Sequence, residues 1–242
     1  MRNLTWLLLT GVILLGAAGA SAAMVSDVAT DFSATNNPNG NWAYGTLDSS
    51  LTWATYGTAE SAAADGSTFS GWHDADWDVN GNLGKNLGPN PIDEWGWYGE
   101  VGQIIMGSPT SGCGTTARWT APADMLVDIS AVFTGQRTGT GGTSAYVYVF
   151  LNNTNLFQGH LDGFIGRGVN GYTDGFGSAP SQSYGTASLA VSAGDVIYFA
   201  MDAQGFGGHA TGLAATITEV PEPATMSLLA LGSLGMVIRR KR

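Results

Sequence analysis

Leu126-Val127-Asp128-Ile129-Ser130-Ala131-Val132-Phe133-Thr134 is the stretch that decides the fold. In an extended chain successive side chains point to opposite faces. Val127, Ile129, Ala131 and Phe133 therefore share one face, while Asp128, Ser130 and Thr134 lie on the other. That alternation predicts a half-buried strand. Leu213, Ala215 and Ile217 alternate with Ala214, Thr216 and Thr218 in the same way. Tyr146 to Leu151 and Val196 to Met201 are apolar on both faces, the pattern of central strands in a packed sandwich. Turn signals separate these runs at 139–142, 152–155 and 192–195, and Asn36-Asn37-Pro38-Asn39-Gly40 precedes Trp42-Ala43-Tyr44. Neither a long helical period nor an internal repeat of roughly 20–50 residues is present. The expectation is a single all-β body, a two-sheet β-sandwich of jelly-roll-like form over 24–219. Within it, 24–112 reads as loop-rich and 113–219 as regular strands.

Composition agrees. Glycine supplies 36 of 242 residues, about twice its usual share of roughly 7%. Charged residues make up 12%, about half the usual ~25%. This disfavours a coiled coil or helix bundle. Between residues 23 and 220 four basic residues (Lys85, Arg118, Arg137 and Arg167) face 18 acidic ones, a net charge of −14. Such a surface repels phosphate backbones, so no nucleic-acid partner is expected. The one cysteine, Cys113, excludes an internal disulfide, and its setting in Ser111-Gly112-Cys113-Gly114 reads as a turn.

Both ends read as addresses. Arg2, the apolar run Trp6 to Leu15 and Ala20-Ser21-Ala22 compose a cleavable signal peptide over 1–23. At the other end, over 220–242, Pro221-Glu222-Pro223 is followed by an uncharged segment, 224–238, and by Arg239, Arg240, Lys241 and Arg242. As a helix the segment measures about 22 Å at ~1.5 Å per residue, a marginal transmembrane span against a hydrocarbon core of ~30 Å. The basic cluster holds the tail on the cytoplasmic side, with the body outside.

The order Pro-Glu-Pro, hydrophobic segment, basic cluster resembles the PEP-CTERM sorting signal of Gram-negative bacteria. That resemblance implies an exosortase-type membrane enzyme as partner. It also implies transient anchoring in the inner membrane, removal of the tail, and delivery to the cell envelope or an exopolysaccharide matrix. The body resembles an all-β module of secreted bacterial proteins, similar in style to carbohydrate-binding and galactose-binding-like sandwiches. The matching residues are Asn-Pro-Asn-Gly-x-Trp-x-Tyr-Gly (37–45), Arg-Trp-Thr-Ala-Pro (118–122), Val-x-Val-Phe-Leu-Asn (147–152), Ala-Gly-Asp-Val-Ile-Tyr-Phe (193–199) and Thr-Gly-Leu-Ala-Ala-Thr-Ile (211–217). Gly208-His209-Ala210 stands where relatives of that module would carry an acidic residue.

Two stretches carry candidate chemistry. Asp74, Asp76, Asp78 and Asn80 place oxygens at alternate positions ahead of Gly81. Hard cations such as Ca²⁺ take six to eight oxygens. From Asp76 the series starts like a calcium loop, but Leu87 occupies the position of its closing glutamate, so an EF-hand is excluded and an irregular Ca²⁺ site or a plain polar loop remain. Trp72, Trp77, Trp95, Trp97 and Tyr98 stand among Asp93, Glu94 and Glu100. Aromatic rings stack on the apolar faces of sugars while carboxylates and amides bond the hydroxyls. An extended Glu94-Trp95-Gly96-Trp97 would put both tryptophans on one face, as a sugar platform or as core. No His-Glu-x-x-His, Gly-x-Ser-x-Gly or P-loop occurs, and no catalytic residue is assigned. The expected function is that of an exported, non-catalytic protein binding polysaccharide, with a purely structural or adhesive matrix protein, or a glycan-degrading enzyme, as alternatives. No cofactor is required.

Overall fold

The computed structural model describes residues 23–74, 81–107, 114–138, 142–164, 176–202 and 209–221. Every regular element in them is a strand, numbered β1 to β17 in chain order. The first sheet runs β15 (Ser181–Val191), β11 (Met125–Gly135), β17 (Ala210–Glu219), β9 (Ile104–Gly107), β6 (Asn82–Asn86), β5 (Ser67–His73) and β4 (Thr58–Ala64), with β1 (Val25–Asp27) also paired to β17. The second runs β14 (Phe176–Ala179), β13 (Thr154–Phe164), β12 (Thr143–Leu151), β16 (Val196–Asp202), β10 (Gly114–Thr120), β2 (Trp42–Leu47) and β3 (Trp53–Thr55). A separate hairpin joins β7 (Ile92–Glu94) to β8 (Trp97–Gly99). Every pairing is antiparallel. The two large sheets pack as a jelly-roll-like sandwich, and Val25–Glu219 form one compact unit.

The alternation read in the sequence is the alternation of the core. Val127, Ile129, Ala131 and Phe133 are buried, as are Leu213, Ala215 and Ile217 across the ladder. From the second sheet Trp42, Tyr44, Trp119, Ile197, Phe199, Val147 and Val149 face them. Each such side chain contributes roughly 1.5–3 kcal/mol through burial. Trp42 satisfies its indole N–H on Ser26 Oγ at 2.9 Å, so a polar atom enters the core without being left unpaired.

Two local readings differ. Tyr146 to Leu151 is a central strand, between β13 and β16, yet it is not core on both sides. Val147 and Val149 are buried, while Tyr146, Tyr148 and Phe150 form a half-buried row on the outside. The loop-rich stretch up to residue 112 contains β1 to β9, of which β1 to β6 and β9 enter the two large sheets. Its strands are short and rich in small residues, as in Thr-Ala-Glu-Ser-Ala-Ala-Ala of β4, so side-chain bulk gives little strand signal. Residues 1–22 and 222–242, which hold most of the signal peptide and the segment 224–238, lie outside the described residues, as does Cys113. Among the described residues no helix is long and apolar enough to cross a membrane.

Candidate functional site

The tryptophan-rich stretch folds into the β7–β8 hairpin. Trp95 and Gly96 are its two turn residues, with φ of 55° and 81°. Two successive positive φ values define the primed hairpin turn that matches strand twist. The extended backbone expected for Glu94 to Trp97 is therefore replaced by a reversal. The two rings still meet, with centroids 5.7 Å apart. Trp95 is 54% exposed. Trp97 is half-buried and packs on Phe69 at 5.0 Å. The hairpin lies on the outer face of the first sheet, where Ile92 joins Phe69, Ile105, Ala64 and Ala210 in a second small core. Backbone bonds from Tyr98 N to the Gln136 carbonyl (2.8 Å) and from Thr138 N to the Gly96 carbonyl (2.9 Å) fix it there.

The other candidates from this region separate. Tyr98 is buried, edge-on to Phe164 at 6.3 Å. Trp72 is buried, and its indole N–H donates to the Ser33 carbonyl at 2.7 Å. Neither ring offers a face to solvent. Asp74 is exposed beyond the end of β5. Trp77, Asp76, Asp78 and Asn80 lie outside the described residues. Among the described residues no group of three or more His, Cys, Asp or Glu side chains is placed to hold a metal.

A larger aromatic surface covers the outside of the second sheet. On β12, residues two apart share this face, so the rings of Tyr146, Tyr148 and Phe150 follow one another along the strand. Their centroids are 6.4 Å and 5.5 Å apart and their planes differ by only 25° and 19°. Tyr198 stands directly across from Phe150 on β16, and Arg118 across from Tyr198 on β10. From the edge strand β3, the Trp53 indole reaches back over Gly45. A Cβ on Gly45 would stand 2.9 Å from two ring carbons and would collide with the Ala54 carbonyl oxygen. The missing side chain is what lets the indole pass over this strand. There it meets Tyr198 at 5.9 Å and receives the Arg118 guanidinium 4.8 Å from its centroid. In the row crossing Tyr148, the facing positions are Ala200, Thr116 and Gly45. These small residues make a floor between the rings.

Polar groups rim the surface. His160 packs on Tyr146 at 4.8 Å, with Ser144 Oγ 3.3 Å from its Nε2. Gln158 lies opposite Tyr148, and Asp202 opposite Tyr146. The Tyr148 phenol is pushed above its ordinary range by partial burial and then by the charges of Asp202 and Tyr146, so it is a hydroxyl donor across the neutral range. On the same face Asp162 accepts from Ser178 Oγ and from Ser178 N, which holds its carboxyl below the usual range. Sequence reading missed this surface. Its signal, aromatic residues at alternate positions of β12, reads in the sequence as a two-sided core strand.

These observations define a class: an all-β, two-sheet, jelly-roll-like sandwich with an aromatic outer face. The particular route of the protein follows from its tail. A family model described as the PEP-CTERM protein-sorting motif matches residues 219–242. The chain is therefore exported, held by its C-terminal segment at the membrane before processing, and delivered to the cell envelope or the extracellular space. The motif implies an exosortase substrate. Among curated proteins none matches the chain. Solved structures similar to it include a carbohydrate-binding module of family 29, at 9% identity and a TM-score of 0.27 over 74% of this chain and 90% of that one. The mannan-recognising module TmCBM27 is similar at 10% identity and a TM-score of 0.33, over 83% and 98%. The MgGH51 α-L-arabinofuranosidase is similar at 10% identity and a TM-score of 0.34, over 58% of this chain but only 22% of the enzyme. At these scores the likeness is loose, and the sandwich is defined by the strand pairing itself.

Proposed function

We propose that the protein is a non-catalytic polysaccharide-binding component of the envelope or extracellular matrix, and that a glycan chain lies along the outer face of its second sheet. The observation that carries this reading is the row of half-buried rings Tyr146, Tyr148 and Phe150 on one strand, joined through the buried Tyr198 to the half-buried Trp53. Rings set nearly parallel along an extended strand offer successive flat surfaces to successive sugar units. Tyr148 O–H, Gln158, Asp202 and Arg118 supply donors and acceptors for the hydroxyls. The hairpin tip with Trp95 and Trp97 is a second aromatic feature on the opposite sheet. A Ca²⁺ site at Asp74, Asp76, Asp78 and Asn80 stays a proposal of the sequence alone.

The test is retention of the exported protein on a panel of insoluble and acidic polysaccharides, with and without Ca²⁺. Retention on at least one, lost when Tyr148 and Trp53 are both replaced by alanine, is the expected result. No retention on any of them removes the binding function.

A further inference from the structure

We propose that the aromatic face selects uronate-bearing, that is carboxylated, polysaccharide, with Arg118 as the group that takes the sugar carboxylate; this rests on the platform reading above. The body has few cations, Lys85, Arg118, Arg137 and Arg167. Lys85 is spent inside the molecule, where its Nζ donates to the Ala29 carbonyl at 2.6 Å. Arg137 lies close enough to His209 to push the pKa of that ring down, after burial. Arg118 differs from both. It stands on the aromatic face, between Tyr198 on one neighbouring strand and Ala43 on the other. Its guanidinium rests on the Trp53 ring, and its buried Nε has no hydrogen-bond partner.

A guanidinium carries five donors in a planar fork and is always charged. Stacking on an indole supplies no acceptor to those donors, because the contact is with the ring face. Buried donors without partners are rare in folded proteins. The ligand that matches a planar charged fork is a planar anion, and a carboxylate accepts two parallel N–H bonds from it. A neutral sugar matches the ring faces of this surface through its apolar C–H faces but brings no anion to the guanidinium.

The face is also polar along its length. Tyr198 and Asp202 are four residues apart on β16, so the Arg118 end and the Asp202 end are separated by about 13 Å at ~3.3 Å per residue. Phe150 is level with the Arg118 end, Tyr146 with the Asp202 end, and Tyr148 stands at the level between them. A carboxylate is welcomed at the first end and repelled at the second, so a single uronate unit is favoured beside Arg118. The body's net charge of −14 opposes a polyanion at long range. At physiological ionic strength the Debye length is about 8 Å, so the contact at Arg118 and not steering sets the preference. Added salt is then expected to change the affinity little.

The experiment is isothermal titration of the exported protein with oligogalacturonate and alginate oligosaccharides, and with the same oligosaccharides after chemical reduction of their carboxyls to neutral alcohols. Binding of at least one acidic oligosaccharide about tenfold or more tighter than its reduced form is expected. R118M keeps the hydrophobic stem and should lower acidic binding to the neutral level, while R118K should recover part of it. Equal affinity for acidic and reduced forms, or acidic affinity unchanged in R118M, overturns the carboxylate assignment and leaves the platform standing. Retention on neutral glycans alone does the same. Failure of every saccharide to bind overturns both. The comparison of acidic and reduced ligands needs no variant, so it decides the matter even if R118M folds poorly.

Discussion

Replacing Trp53 by alanine separates the two aromatic surfaces of the molecule. In the free protein the change removes one ring pair with Tyr198, worth about 0.5–1.5 kcal/mol, and one cation–π contact with Arg118, about 0.5–1 kcal/mol. The indole N–H to Thr55 Oγ1 bond is exposed and adds little. The loss of stability is thus about 1–2.5 kcal/mol, small against the 5–15 kcal/mol typical of a domain, and the sandwich stays folded. For sugar binding the same change removes the flat end of the platform and frees Arg118 from its stack. A loss of about 2 kcal/mol, the threshold of a binding hot spot, raises Kd about 30-fold. The control is Trp95→Asn on the opposite sheet. Trp95 holds a positive φ that asparagine adopts more readily, and Asn-Gly is the favoured pair for this turn. Its fold should be intact and its sugar affinity unchanged. Titration calorimetry on a retained polysaccharide fragment, with urea midpoints for both variants, reads both effects. If Trp95→Asn abolishes binding and Trp53→Ala leaves it alone, the hairpin tip is the glycan platform and the reasoning from the second sheet is refuted.

Other outcomes follow from single contacts. Gly84→Ala places a methyl 2.5 Å from Phe69 Cζ and 2.7 Å from the Ser70 carbonyl oxygen, which should destabilise by about 1–3 kcal/mol through overpacking; an unchanged urea midpoint would mean that Phe69 is free to move. Asp195 is held below the usual carboxylate range by Ser192 N–H and then by Asn152. A depressed carboxyl stabilises above its unfolded pKa of roughly 3.9, and that stability is lost as pH falls through the lower folded value. The gap between the parent and Asp195→Asn in denaturation midpoint should therefore be full at pH 6 and shrink at more acid pH, whereas a constant gap contradicts the assignment. Replacing Pro221 and Pro223 with alanine disrupts the sorting motif, so full-length protein should accumulate in the inner-membrane fraction by intact mass; normal release of a shortened chain would show that the triplet is dispensable.

The sandwich was readable where polar and apolar residues alternate strictly. Val127 to Phe133 and Leu213 to Ile217 reveal their faces because the outward positions, Val132 apart, hold small or polar side chains. The rule failed where the outward positions were aromatic. Tyr146, Tyr148 and Phe150 look like core to any scale that scores bulk, and only the place of β12 in the sheet tells which side is covered. Trp95 misled for another reason. A bulky residue at positive φ is uncommon, so local preference reads Trp95-Gly96 as strand, and the docking of the hairpin on Phe69 and Ile105 overrides it. Trp72 and Trp95 are the same residue type in similar company, yet one is bonded to the Ser33 carbonyl and buried while the other is exposed. That distinction depends on partners 39 positions apart in the chain.

The last strand to leave the cytoplasm is also the seam of the first sheet. β17 is paired with β11 along one side and with β9 and β1 along the other. Until it arrives, β11 and β9 have no common neighbour and Val25–Asp27 has nothing to pair with. The sheet therefore cannot be completed cotranslationally by addition at an edge; it must wait for its closing piece, and the sorting motif begins at residue 219 where that piece ends. A chain truncated before this point would reach the far side as two half-sheets without a join, and would lack its release tag as well. Completion of the body and possession of the tag are thus linked by the order of the sequence alone.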